Sequence, residues 1–316
     1  MKLAFLFPGQ GSQAVGMGKA LADRFPSARA VFAGADDVLG FGLSDVMWNG
    51  PDELLRRTEN AQPALLAHSV AAFTALGDRG LKAAYAAGHS LGEYSAHVAA
   101  GSLAYADALR LVRRRGELMA MAGDANAGTM AAILGLDGAL VEAACADASN
   151  LGKGAVVAAN FNSPGQVVIS GAVDAVEAAM ALCKERGAKR AIRLPVAGAF
   201  HSPLMGPGAD GLAAALAQVT VHDARIPVIA NVDARPVTAA ADIRDRLGRQ
   251  LLGAVRWEES MRTLVAAGVT GFIELGTGRV LRGLLKSIAP EAKSANVDDP
   301  ASLEETLSAF GQEARA

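Results

Sequence analysis

The chain has 316 residues, 51% hydrophobic and 20% charged, which excludes disorder and favours a globular protein with room for one large domain or two unequal ones. A formal net charge of −2 leaves no footprint for nucleic acid or another polyanion. Two cysteines, Cys145 and Cys183, without metal spacing, point to a reducing compartment rather than a disulfide framework.

Leu3–Phe7, an apolar run ended by Pro8, is too short for a signal peptide and is read as a buried strand. It leads into the loop Pro8-Gly9-Gln10-Gly11 and a helix carrying Met17 and Leu21. Pro26–Val38 and Asn60–Leu76 are read as helices, followed by a strand near Ala83–Ala87, a turn at Ser90 and a small-residue helix through Ala100. Asp107–Met121 is another helix, and this βα alternation predicts a parallel sheet covered by helices on both faces. Beyond Gly123–Gly128 the order changes. Strands at Met130–Leu136, Ala155–Ala159, Gln166–Ser170 and Lys189–Leu194, with helices at Gly138–Ala148 and Val173–Arg186, give βαββαβ, the order of a ferredoxin-like unit. Strands at Pro227–Asn231 and Gly271–Leu275 resume the first pattern. The expected fold is α/β: a discontinuous core of residues 1–124 and 198–316, with a ferredoxin-like subdomain inserted at 125–197. No apolar run reaches membrane-spanning length, so a soluble cytoplasmic protein is expected.

Gly88-His89-Ser90-Leu91-Gly92 is a Gly-x-Ser-x-Gly pattern between a strand and a helix. On such a turn the serine hydroxyl is exposed, and the Leu91 amide at the helix start can donate to an oxyanion. A serine hydroxyl needs a base, and five histidines are available. His68 and His97 lie within helices, His89 adjoins the serine and points elsewhere, and His222 reads as a surface residue at a strand end. His201, in a loop just past the inserted unit, is preferred. Arg115 falls on the apolar stripe of its helix with Ala108, Leu111, Val112, Leu118, Met119 and Ala122. Arg110, Arg113, Arg114 and Glu117 take the solvated face, with Arg113 and Glu117 paired. A buried guanidinium requires an anion, either an internal carboxylate or a ligand carboxylate. Gly9, Gly11 and Ala14 partly fit a dinucleotide loop, but Pro26–Val38 is helical where that motif needs a strand ending in an acid. The Gln10 side chain would instead donate to an oxyanion.

Together, Phe7-Pro8-Gly9-Gln10-Gly11-Ser12-Gln13, Gln62-Pro63-Ala64-Leu65, Gly88–Tyr94, Arg115-Gly116, Asn160–Pro164, Phe200-His201-Ser202, Asn231–Ala234 and Glu274-Leu275-Gly276 span nearly the whole chain. In this set the chain resembles the malonyl-CoA:acyl-carrier-protein transacylases of fatty-acid synthesis and the related acyltransferase domains of polyketide synthases. The resemblance implies a hydrolase-like core with Ser90 as nucleophile and His201 as general base and acid. It further implies Gln10 and Leu91 at the oxyanion hole, and Arg115 on the malonyl carboxylate. Gln250 would orient the histidine through its backbone carbonyl, and Phe200 would crowd an α-methyl branch. Gly198 stands where malonyl-selecting polyketide domains often carry another histidine. Malonyl-CoA and holo-acyl carrier protein are the implied substrates, with no metal or redox cofactor, and a monomer is implied.

The rival readings are a serine hydrolase or thioesterase, a malonate-decarboxylase-type or trans-acting polyketide acyltransferase, and a non-catalytic docking module. No acid between Ser90 and His201 stands out as the third member of a hydrolase triad. Lys184, Arg186, Lys189, Arg190 and Arg193 form a basic group read first as solvated surface, with an acidic carrier protein as the alternative.

Overall fold

In a computed structural model, which describes residues 1–196 and 198–311, the chain builds two sheets. The larger has six strands: β1 (Leu3–Phe7), β2 (Tyr85–Gly88), β7 (Val228–Ile229), β8 (Pro236–Val237), β9 (Gly271–Leu275) and β10 (Lys293–Val297). Their spatial order is β10-β9-β1-β2-β7-β8, parallel except for the β7–β8 edge hairpin. The smaller sheet has β3 (Gly128–Leu134), β4 (Val156–Ser163), β5 (Gln166–Ala172) and β6 (Arg190–Arg193), antiparallel in the order β4-β5-β3-β6. That is the strand order of a ferredoxin-like unit, placed between the helix Tyr105–Ala125 and the return to β7. Residue 197, taken from the sequence as the end of the smaller unit, and residues 312–316, the end of the larger, lie outside the described residues.

Every residue of β1 is buried because the sheet is covered on both sides. Its period of two assigns side chains to separate cores. Leu3, Phe5 and Phe7 join the apolar mass under the helices Pro26–Leu39, Thr58–Gly77 and Tyr105–Ala125. Ala4 and Leu6 face Trp257, Met261, Leu264, Leu281 and Leu285 on the opposite side. In the smaller sheet, Ile133 and Ile169 pack under the helices Gly138–Asn150 and Val173–Glu185, together with both unpaired cysteines. Met130 and Val168 use the other face to meet Phe200, which also touches the core under the larger sheet.

Several expected boundaries shift for local reasons. Gly18 is left-handed (φ 78), so the first helix begins at Lys19 and Met17 stays in the preceding turn. β4 runs on to Ser163 because Asn160 bridges Val255 as well as pairing with Val168. Residues 219–225 form no strand; His222 is exposed, and its N–H donates to the Ser102 carbonyl at 2.9 Å. Arg113 pairs with Glu117 at 2.9 Å as expected, yet it also donates to Asn60 Oδ1 at 2.6 Å, tying its helix to Thr58–Gly77. In the basic group, Arg186 pairs with Asp147, and Arg193 lies 3.7 Å from Glu177. No helix among the described residues is long and apolar enough to cross a membrane.

The tightest backbone approach is where the helix Gly92–Ala99 leaves the sheet. A Cβ on Gly92 would lie 2.0 Å from the Phe7 carbonyl oxygen, and one on Gly88 would lie 1.9 Å from the Gly92 carbonyl carbon. Gly92→Ala is therefore expected to lower unfolding free energy in urea by about 3 kcal/mol or more, as strained overpacking does. Gly283→Ala, where an added Cβ meets nothing within 4 Å inside a helix, is expected to match or exceed wild-type stability in the same titration. Equal behaviour of the two variants would contradict the steric account.

Candidate active site

The loops leaving the carboxyl ends of β1, β2 and β7 meet around Ser90, as open parallel sheets favour. After β2 the chain turns sharply, and Ser90 takes a left-handed conformation (φ 50), uncommon for a residue with a side chain. Asn231, just past β7, holds this turn. Its Oδ1 accepts from the Ser90 N–H and its Nδ2 donates to the Gly88 carbonyl, both at 2.7 Å. Gly92, Glu93 and Tyr94 donate to the carbonyls of His89, Ser90 and Leu91, leaving the Leu91 N–H outside this set of bonds.

Ser90 Oγ lies 2.7 Å from His201 Nε2. The other ring nitrogen, Nδ1, is 3.1 Å from both the Gln250 and Gly253 carbonyls. Two carbonyl acceptors place the proton on Nδ1 and leave Nε2 to accept from the serine. Backbone carbonyls thus stand where a Ser-His-Asp arrangement has its carboxylate. The Gly253 carbonyl was not anticipated from the sequence. His201 is itself left-handed (φ 57) and buried. Burial, then the Arg115 charge, pushes its imidazole down to about 3, against the pull of the two carbonyls.

Arg115 is fully buried, as its place on the apolar stripe requires. Its Nη1 donates to Gln62 Oε1 at 2.8 Å, and its Nη2 donates to Gln250 Oε1 and Ser90 Oγ, each at 3.1 Å. All three partners are neutral, and no internal carboxylate pairs with it among the described residues. The guanidinium therefore sits beside the serine oxygen without a directly bonded anion.

Gln10 is exposed, and its Nε2 donates to Thr58 Oγ1 at 2.9 Å rather than into the elbow. Thr58 Oγ1 also accepts from Gln62 Nε2 at 3.0 Å, so Gln10 joins Arg115 through two intermediaries. Phe200 is half-buried beside His201, between the two sheets. Of the remaining histidines, His89 turns to Asn162 Oδ1 at 2.8 Å, His97 to Ser102 Oγ at 2.9 Å and His68 to the Asp298 carbonyl at 3.0 Å. Among the described residues no three His, Cys, Asp or Glu side chains gather as a metal site.

Sequence reasoning gave Gln250 a backbone role and missed its side chain, and gave no role to Gln62, Glu93 or Asn231. Gln62 and Glu93 carry a readable signal: polar side chains within helical runs whose neighbours are apolar. Glu93 is buried, and burial pushes its carboxyl up to about 7 while bonds from Gln250 and Asn231 and the Arg115 charge draw it down.

The family described as acyl transferase domain matches residues 4–297. The malonyl CoA-acyl carrier protein transacylase of Bacillus subtilis is 47% identical over 312 residues, 99% of this chain and 98% of that protein. The Escherichia coli K12 protein of the same description is 46% identical over 308 residues, covering 97% and 99%. Among solved structures, an acyl carrier protein S-malonyltransferase from Vibrio cholerae superposes with a TM-score of 0.94 at 48% identity, covering 97% of this chain and 100% of that one. A malonyl-transacylase in complex with its type II polyketide acyl-carrier protein superposes with a TM-score of 0.93 at 44% identity, covering 98% and 100%.

The depressed His201 value has a direct readout. A histidine whose folded pKa lies below its unfolded value stays neutral as pH falls through the ordinary range, and its contribution to stability is lost in that window. Labelled His201 in the free protein is expected to keep neutral-imidazole shifts by NMR down to about pH 5. Protonation near the ordinary histidine value would contradict the burial and charge argument.

Proposed function

The chain belongs to the acyl transferase domain family, and on that premise we propose that it carries malonyl from malonyl-CoA to the phosphopantetheine thiol of acyl carrier protein. The observation that carries the reading is Arg115: a fully buried guanidinium with neutral partners only, 3.1 Å from Ser90 Oγ. Desolvating a charge costs several kcal/mol, and an acyl donor ending in a free carboxylate supplies the missing anion.

The reaction proceeds in two half-reactions. Ser90 Oγ attacks the thioester carbonyl while its proton passes to His201 Nε2, 2.7 Å away. The tetrahedral oxyanion is stabilised by the Leu91 N–H with a second donor from Gln10, whose side chain turns from Thr58 to reach it, each such donor contributing about 3 kcal/mol. The carbon–sulfur bond breaks, coenzyme A leaves with the proton from His201, and a malonyl ester remains on Ser90. The carrier thiol then gives its proton to His201 and attacks the ester carbonyl, and Ser90 Oγ departs reprotonated. Because His201 is held neutral, it is ready as a base at the start of each half-reaction. Arg115 fixes the far carboxylate throughout and so aligns the carbonyl. Phe200, beside His201, crowds an α-methyl branch on the acyl group.

These steps use proton transfer and acyl exchange alone, so the proposal includes no metal or redox cofactor. It also keeps the site in a monomer, on a core of residues 1–124 and 198–316, in the cytoplasm. The fatty-acid or polyketide setting follows whichever carrier protein is served.

Incubation with malonyl-CoA is expected to add one malonyl group, mapped to Ser90, that holo-acyl carrier protein then removes. Ser90→Ala is expected to abolish the adduct in intact-mass spectra. Release of malonate at the same rate without carrier protein would instead favour a hydrolase. Arg115→Ala is expected to reduce kcat/KM for malonyl transfer on the order of a hundredfold while affecting acetyl transfer far less. Equal losses for both donors would remove the carboxylate-binding role.

A further inference from the structure

Glu93 is a buried carboxylate that none of these steps uses. It lies on the first turn after the nucleophile, 1% exposed. Its Oε2 accepts two hydrogen bonds that lead in different directions: from the Asn231 N–H at 3.1 Å and from Gln250 Nε2 at 2.7 Å. Asn231 grips the elbow through Ser90 N and the Gly88 carbonyl.

The Gln250 branch bears on acyl recognition. Gln250 Nε2 also donates to the Ser90 carbonyl at 3.0 Å, so both hydrogens of the amide have acceptors. A side-chain amide is planar, and fixing its N–H groups fixes the direction of its oxygen. That oxygen accepts from Arg115 Nη2 at 3.1 Å. Without the Glu93 acceptor only the Ser90 carbonyl still holds the amide N–H groups against a flip that would turn them toward the guanidinium. A purely helix-supporting role would require no particular partner for Glu93, yet its second oxygen, Oε1, is buried without a hydrogen bond, 4.0 Å from His97 Nε2. The bonds Glu93 makes all go to groups that hold the site.

We propose, resting on the malonyl-transfer reading, that Glu93 is a positioning residue that fixes the Gln250 amide and thereby sets Arg115 to grip the acyl carboxylate. It touches no reacting atom. Its effect falls more heavily on donors that carry a carboxylate, because acetyl-CoA offers Arg115 nothing to hold.

The test compares kcat and KM for malonyl-CoA and acetyl-CoA, with holo-acyl carrier protein as acceptor, in Glu93→Gln, Glu93→Ala and Glu93→Asp. Glutamine keeps an acceptor oxygen where Oε2 sits. Alanine removes the acceptor, and aspartate keeps the charge but retracts it. Glu93→Gln is expected to hold the malonyl-to-acetyl ratio of kcat/KM within about threefold of wild type. Glu93→Ala and Glu93→Asp are expected to lower that ratio about tenfold or more, chiefly by raising KM for malonyl-CoA. If the alanine variant does not fold, the aspartate and glutamine variants decide the matter. An unchanged ratio in the aspartate variant, or a glutamine variant that falls as far as aspartate, overturns the inference while wild-type esterification at Ser90 stands. Failure of wild type to form that ester would bring down the functional reading, and this inference with it.

Discussion

A positive charge enclosed in protein next to a hydroxyl is the constraint around which the site is arranged. Arg115 is fully buried on a helix that the apolar stripe binds to the core, so it cannot move out to water. Three neutral oxygens, from Gln62, Gln250 and Ser90, partly replace its hydration. Burial, and after it the same charge, keeps His201 neutral, and the charge partly offsets the rise that burial imposes on the Glu93 carboxyl. The states of the imidazole and of the supporting carboxyl are thus both set by exclusion of solvent together with the Arg115 charge.

The two sheets divide the remaining labour. The parallel sheet carries Ser90 on a strained turn, and that turn survives because Gly88 and Gly92 leave no side chain in the strand–helix crossing. The smaller sheet presents Met130 and Val168 toward Phe200, next to the histidine. β4 ties to the Gly253 region through Val255, whose N–H donates to the Ala159 carbonyl at 2.8 Å and whose carbonyl accepts from Phe161 at 2.9 Å. The peptide groups that orient His201 are therefore anchored to both sheets, so its geometry depends on how the two meet.

Much of this was legible in the sequence because the relevant periodicities are local. The alternation within Leu3–Phe7, the helical stripe that includes Arg115 and the βαββαβ order each lie within one stretch of chain. The Ser90 turn was readable for the same reason. What was not legible depends on contacts between distant segments. Gln250 reaches Arg115 across 135 residues of chain, and Asn231 reaches Ser90 across 141. Nothing in Arg249-Gln250-Leu251 distinguishes its side chain from any other glutamine near a helix end. The Gln10 side chain shows the opposite limit: its place in the loop was readable, but its bond to Thr58 depends on how the helix Thr58–Gly77 packs.

Gln250 works at both ends: its peptide oxygen faces the base, and its amide oxygen faces the guanidinium. On the proposed reading, turnover and substrate preference are therefore mechanically linked through one residue. A lineage or an engineer seeking to widen acyl tolerance by altering this neighbourhood would also loosen proton transfer. If Phe200 does crowd the acyl group as proposed, broader tolerance is more accessible there, where shape can change without disturbing the imidazole's anchor.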